Sequence, residues 1–194
     1  QSGYIVAPTT KVSAWSRTAS CQRGRTQGTA IDRPVARCYC PRMIQGPDIV
    51  DVPPSVLAAV RERVAWPQLS RKVPELLGVV WEFLKTAEAT KAGHNVAVYR
   101  DPTKADVDVE CGVQVTGSFG DSGRVRRSEA PAGRAIHVAY FGPYAGLGQA
   151  HDAILAYAQA EGLEKGVHWE VYGDWEEDPA RLRTDVYARI EAKR

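Results

Sequence analysis

The sequence predicts an α+β domain in which two strand–helix–strand–strand repeats share one antiparallel sheet, with both helices on one face. Strand-like and helical periodicities alternate between residues 48 and 190. The stretch "AVYRDP" at 97–102 returns as "EVYGDW" at 170–175, an offset of 73 residues. Asp108-Val109 returns as Asp185-Val186 at an offset of 77, as a loop four residues longer would require. Two copies are too few for a solenoid and fit a pair of units closing one core.

The elements follow in order. "DIVDVPPSVLAAVRERV" (48–64) is strand material interrupted by Pro53 and Pro54, which places it at an edge or a bulge because proline cannot donate to a ladder. "LSRKVPELLGVVWEFLKTAEATKAG" carries Val73, Leu76, Leu77, Val80, Trp81 and Leu84 at helical spacing. Ser70 is its expected N-cap, Pro74 its first turn and Gly93 its stop. "HNVAVYRD" and "VDVECGVQVTG" alternate as strands. After the turn "SFGDSGR" come strands "RVRRSEAP" and "GRAIHVAYFGP", a helix from Tyr144 to about Ala160, then strands "VHWEVYGD" and "RTDVYARI".

Bulk composition narrows the function classes. With 194 residues, 44% hydrophobic and 25% charged, the chain can bury a core. Its 25 basic and 23 acidic residues give no overall field for nucleic acid, and no apolar run is long enough for a membrane span. Cys21, Cys38 and Cys40 lack the spacing of a zinc site and no histidine precedes His94, so no metal or other cofactor is expected. The expected setting is reducing and cytoplasmic. Residues 1–42 carry many basic groups and one acid, Asp32, without periodicity. They are expected to be a disordered leader, either foreign to the native chain, with Met43 as its start, or a basic arm; 43–194 form the domain.

Side-chain alternation then sorts the strand "VHWEVYGDW". Trp169 and Val171 share one face; His168, Glu170 and Tyr172 share the other. In the first repeat Val96 and Val98 oppose Asn95, Ala97 and Tyr99. The Val/Trp face is the one expected under a helix. In the last strand Thr184, Val186, Ala188 and Ile190 form the apolar set, turning Tyr187 toward the face expected to hold Tyr172. Tyr99, Tyr172, Tyr187 and Glu170 are therefore either a solvated surface or the lining of a cleft on the face away from the helices. An acid among aromatic rings suits a flat or cationic organic ligand through stacking, cation–π attraction and charge neutralisation. It equally suits a general acid or base. His137 faces cleft or core, His151 is expected at the surface, His168 beside Glu170, and Trp81 in the helix core. No nucleophile elbow or phosphate loop occurs.

"YFGPYAGLGQAHDAILAYAQAEGL" followed by "WEVYGDWEEDPARLRTDVYARI" resembles the GyrI-like (gyrase-inhibitor-like) small-molecule binding family. The matched pattern is an aromatic, Gly142-Pro143-Tyr144, a helix, WE-x-Y, Asp178-Pro179 and Thr184; "AVYRDP" and "ECGVQV" match its first half. The resemblance covers roughly 46–191 and implies a twinned fold with a ligand cleft between the halves. It implies that Glu170 is the buried acid and that Tyr99, Trp169 or Tyr172, and Tyr187 line the cleft, with Tyr140 and His168 added as candidates. A standalone effector-binding domain is expected, taking a hydrophobic, often cationic ligand in a transcriptional or drug-resistance response. A hydrolase of strained electrophiles such as cyclopropanes, with Glu170 directing water, is the alternative. No DNA-binding module is expected, and a regulator or topoisomerase-like protein is the possible macromolecular partner.

Overall fold

A computed structural model describes residues 43–191. The expectations for residues 1–42, including Cys21, Cys38 and Cys40, lie outside them. Eight strands and two α-helices follow in the order β1 (Ile44–Val52), β2 (Val56–Ala65), α1 (Leu69–Leu84), β3 (Thr90–Arg100), β4 (Asp106–Thr116), β5 (Arg126–Glu129), β6 (Gly133–Phe141), α2 (Gly148–Ala160), β7 (Glu164–Tyr172) and β8 (Arg183–Glu191). One sheet holds them all in the order β1-β6-β8-β7-β3-β4-β2-β5, and every pairing is antiparallel.

This is the predicted α+β pair of repeats. Units β2-α1-β3-β4 and β6-α2-β7-β8 meet where β3 pairs with β7. The strand leading each unit docks on the other: β1 edges β6, and β5 edges β2. Each half thus supplies the other's outer strand, which ties the two together. Pro53 and Pro54 separate β1 from β2, so the proline pair ends an edge strand as predicted.

Three sequence expectations for α1 fail. The helix starts at Leu69 after a 3-10 turn over Trp66–Gln68, with Gln68 and not Ser70 in the cap position, so Pro74 sits within the helix, beyond its first turn. It ends at Leu84, and Gly93 lies in the strand β3 instead of stopping the helix. The reason is local: β3 shifts register between Lys91 and Asn95, and a Cβ at Gly93 would meet the side chain of Gln114. Strand β7 has the corresponding shift between Lys165 and His168, with Gly166 against Glu191. Both glycines mark bulges that repeat with the fold.

Each helix covers its own half of the sheet. Val73, Leu76 and Val80 of α1 pack with Ala58, Val60, Val107, Val109 and Val113. Ala150, Ile154 and Ala158 of α2 pack with Ile136, Val138, Val186 and Ala188. On the opposite face a third apolar cluster runs through Leu57, Ala59, Val96, Val98, Ala135 and Trp169. The side expected for the carboxylate is reversed here. Ala97 and Tyr99 belong to the α1 cluster, and Tyr172 packs against both helix clusters, so Glu170 and its neighbours lie on the helix face. The Val/Trp set lies on the helix-free face. The cause is the seam: α1 packs on β2, β4 and β3, and α2 on β6, β1 and β8, leaving the β3–β7 junction between the helices.

Candidate functional site

The central strands place the polar groups by register alone. Tyr172 lies opposite Asn95, Glu170 opposite Ala97, and His168 opposite Tyr99, all with side chains on one face. Glu170 thus faces only a methyl group across the pairing, and the Tyr99 hydroxyl reaches its carboxylate from β3.

Glu170 is 4% exposed and fully partnered for its position. Tyr99 Oη donates to its Oε2 at 2.9 Å, and Tyr172 Oη to the same oxygen at 2.5 Å. Its Oε1 lies 2.8 Å from His151 Nε2 on the first turn of α2. Burying an unpaired carboxylate costs several kcal/mol, about what three charge-assisted hydrogen bonds return. Burial pushes the Glu170 pKa up. The hydrogen bond and charge of His151 and the two tyrosine hydroxyls outweigh it, holding the carboxyl below its ordinary value of 4.5. Burial, then the adjacent carboxylate, raise Tyr99 well above 10; burial, the Tyr99 hydroxyl and the carboxylate do the same for Tyr172. Both hydroxyls therefore stay donors across the physiological range.

Rings surround this core. His168 stacks on Tyr99 with centroids 5.0 Å apart and planes 14° from parallel. Burial and the neighbouring His151 push His168 down to about 4, so it is neutral at pH 7. His151 meets His168 edge-on at 5.5 Å, and Tyr144 meets Tyr172 edge-on at 5.6 Å. On the α1 side, Trp81 Nε1 donates to Asn95 Oδ1 at 3.0 Å while the ring is 36% exposed. The floor is thus buried and polar, and Trp81 and the 45%-exposed Tyr144 stand above it as open aromatic surface.

Of the residues singled out from the sequence, the structure gathers Glu170, Tyr99, Tyr172 and His168. Tyr187 and Trp169 are not among them. They stack on each other on the helix-free face, centroids 5.0 Å and planes 10° apart, because they face each other directly across β7 and β8. Tyr140 is buried in the α2 core, its hydroxyl bonded to the Pro143 carbonyl at 3.1 Å. His137 also faces away, stacked on Tyr187 and 2.7 Å from Asp185 Oδ1. His151, expected at the surface, is instead a direct partner of Glu170. Trp81, expected in the helix core, also reaches this site through Asn95, which alternation places on the Tyr99 face. The signal for His151 was its place: it follows Ala150 of the buried Ala150–Ile154–Ala158 stripe, on the helix turn nearest the seam.

Among the described residues no group of His, Cys, Asp or Glu could hold a metal ion, and no helix is long and apolar enough to cross a membrane. Cys111 is buried, its thiol pushed up to about 12 by burial and nearby carboxylates.

Residues 45–191 match the model of a family described as a GyrI-like small molecule binding domain. None of the curated proteins compared matches the chain. Among solved structures, EcmrR in its DNA complex is similar at 20% identity and a TM-score of 0.68, over 77% of this chain and 58% of that one. The chain thus spans little more than half of that relative. The EcmrR C-terminal domain alone is matched over 74% of this chain and 96% of that one, with 20% identity and a TM-score of 0.63. SAV2435 bound to tetraphenylphosphonium is similar at 8% identity, covering 76% and 94%, with a TM-score of 0.55. A hydrolase from Listeria innocua gives 15% identity, 79% and 94%, and a TM-score of 0.50. At these identities the likeness establishes the fold.

Proposed function

Because the chain belongs to the family of GyrI-like small molecule binding domains, we propose that its ligand is a lipophilic organic cation, held over the β3–β7 seam with Glu170 as counter-charge. The observation that carries this reading is a carboxylate 4% exposed, held below its ordinary pKa, whose partners are two neutral phenols and one imidazole. A neutral organic ligand would gain from the rings alone. A cation gains in addition from a fixed negative charge in a site of low dielectric, where Coulomb attraction is several times stronger than in water. Trp81 and Tyr144 supply faces for stacking and cation–π contact, worth about 0.5–2 kcal/mol each. The bound tetraphenylphosphonium of SAV2435, which shares the fold, is a ligand of this class. A role in transcriptional or drug-resistance response belongs to the same reading.

The test is displacement of a fluorescent lipophilic cation, comparing wild type with Glu170→Gln. Selective loss of affinity for cations over neutral polycycles of equal size supports the reading. Equal affinities of both proteins for every cation reject it.

The His151–Glu170 pair favours a second reading, hydrolysis of an electrophilic small molecule. The sequence-based version had Glu170 directing water, but three donors already engage that carboxylate. The group with access to a water is His151, whose side chain is 32% exposed and oriented by Glu170. Mass-spectrometric detection of a hydrated product from a cyclopropane-bearing substrate, lost in Glu170→Gln, supports this; stoichiometric binding without product rejects it.

A further inference from the structure

We propose that His151 sets the charge class of the ligand: its imidazolium neutralises Glu170 in the empty site, and a bound cation takes its place with release of one proton. This rests on the reading of the seam as a cation site and goes beyond it by naming the group that competes with the ligand.

The argument begins with the two oxygens of Glu170. Oε2 is committed to Tyr99 and Tyr172, which cannot carry positive charge. Oε1 faces His151 Nε2 at 2.8 Å, and His151 is the ion-pair partner of the carboxylate. A ligand cation that approaches Glu170 from the open side therefore meets the oxygen that His151 already holds. His151 is also the more exposed of the two, 32% against 6% by side chain, so it stands on the ligand's side of the pair.

The other groups facing His151 sharpen the competition. From β7, His168 lies 5.5 Å away edge-on. Burial and His151 itself keep His168 neutral near pH 7, and Lys165 on the same strand pushes it the same way. From β3, Tyr99 presents its ring edge-on at 6.5 Å and stays protonated. Tyr172 is likewise a neutral phenol, and Asp152, next on α2, is exposed. Within the site, then, the group placed to carry a positive charge against Glu170 is the His151 imidazole.

The proton balance follows. With His151 protonated against the Glu170 carboxylate, the pair is neutral overall. A neutral ligand leaves this pair intact and moves no proton. A permanent cation placed against Oε1 leaves two positive charges facing one carboxylate, and His151 relieves this by losing its proton to solvent. Affinity for the cation consequently rises with pH, by up to tenfold per unit while a proton must be released, and flattens where none is. Affinity for a neutral ligand of the same shape does not change.

The experiment is isothermal titration calorimetry of the full chain between pH 5.5 and 8, with two probes. Tetraphenylphosphonium carries a charge that does not titrate, and triphenylphosphine oxide is the neutral counterpart. Each is measured in buffers of different ionisation enthalpy, so that the number of protons released is read directly. The expected result is close to one proton released by the cation at low pH, none by the neutral probe, and a cation affinity that climbs at least fivefold over the range. In His151→Gln the cation should release no proton and its affinity should be flat with pH. Tight cation binding without proton release in wild type, or an identical slope in His151→Gln, overturns the role of His151 and leaves the cation site standing. Failure of wild type to bind the cation at any pH overturns both.

Discussion

Tyr99 and Tyr172 occupy the same position in the two repeats, 73 residues apart, and both donate to one oxygen, Oε2 of Glu170. The pseudo-symmetric fold brings its two copies of one tyrosine to a single point, and that point is where the symmetry breaks. The first repeat has Ala97 where the second has Glu170, and the two face each other across the seam. Two carboxylates here would repel across a cross-strand pair, and none would leave two buried phenols without an acceptor.

The tyrosine pair gives the first prediction. Tyr99→Phe and Tyr172→Phe each remove a hydrogen bond to a charged acceptor and should cost about 1–3 kcal/mol at pH 7, measured by urea denaturation. Since each variant leaves the other phenol on Oε2, the double variant should cost more than the two singles together. Strict additivity would mean that the two hydroxyls do not share the carboxylate's charge.

A second prediction concerns acid stability. The folded-state pKa of Glu170 lies below its ordinary 4.5, so its ionised form stabilises the fold. That contribution is complete above the unfolded-state value and is lost as pH falls through the folded-state value. Wild type should therefore lose stability steeply below about pH 4.5, and Glu170→Gln should show a shallower fall over that range. Parallel acid limbs would place the titrating group elsewhere.

The sequence carried the repeat, the α+β class and the residues that share each strand face, because alternation and a 73-residue offset are local and periodic signals. It did not carry which face the helices cover. The more apolar face of β3 and β7 is the one away from the helices, so Trp169 with Val96 and Val98 reads as the helix side although these residues form the opposite cluster. The expectation of the acid away from the helices follows from that, and so does a surface His151, whose role depends on α2 beginning over the seam. Tyr187 lies on the helix-free face, as alternation predicts, and is separated from Tyr172 because Tyr172 lies on the helix face. A helix rich in alanine, as in "GQAHDAILAYAQA", also has a weak apolar stripe, and its polar edge is hard to distinguish from solvent.

Separating the two faces yields a third prediction. Tyr187→Ala removes the ring stacked on Trp169 and should destabilise the fold by about 2–4 kcal/mol while leaving cation affinity unchanged. Trp81→Ala removes a partly exposed ring at the seam and should do the reverse, weakening binding about tenfold with under 1.5 kcal/mol of destabilisation. Denaturation and ligand titration on the same two variants check both halves. Loss of affinity in Tyr187→Ala at temperatures where it remains folded would return that tyrosine to the ligand's side.

The paired bulges supply the last prediction, and here the repeats should differ. A Cβ at Gly93 would run into Gln114, and one at Gly166 into Glu191, so both alanine variants must displace a side chain. Glu191 is exposed at the end of β8 and can swing into solvent. Gln114 cannot move without loss: its Oε1 accepts from the His94 backbone amide at 2.9 Å, and its Nε2 donates to Ser55 Oγ at 3.2 Å. Gly93→Ala should therefore cost about 1–3 kcal/mol, the scale of breaking a half-buried polar network, while Gly166→Ala should stay within about 1 kcal/mol of wild type. The order matters for the site, since Asn95, which holds Trp81, lies just beyond the Gly93 bulge. Gly93→Ala should thus also weaken cation binding where Gly166→Ala does not. Equal costs at the two glycines would show that the Gln114 contacts contribute nothing to fixing the β3 bulge.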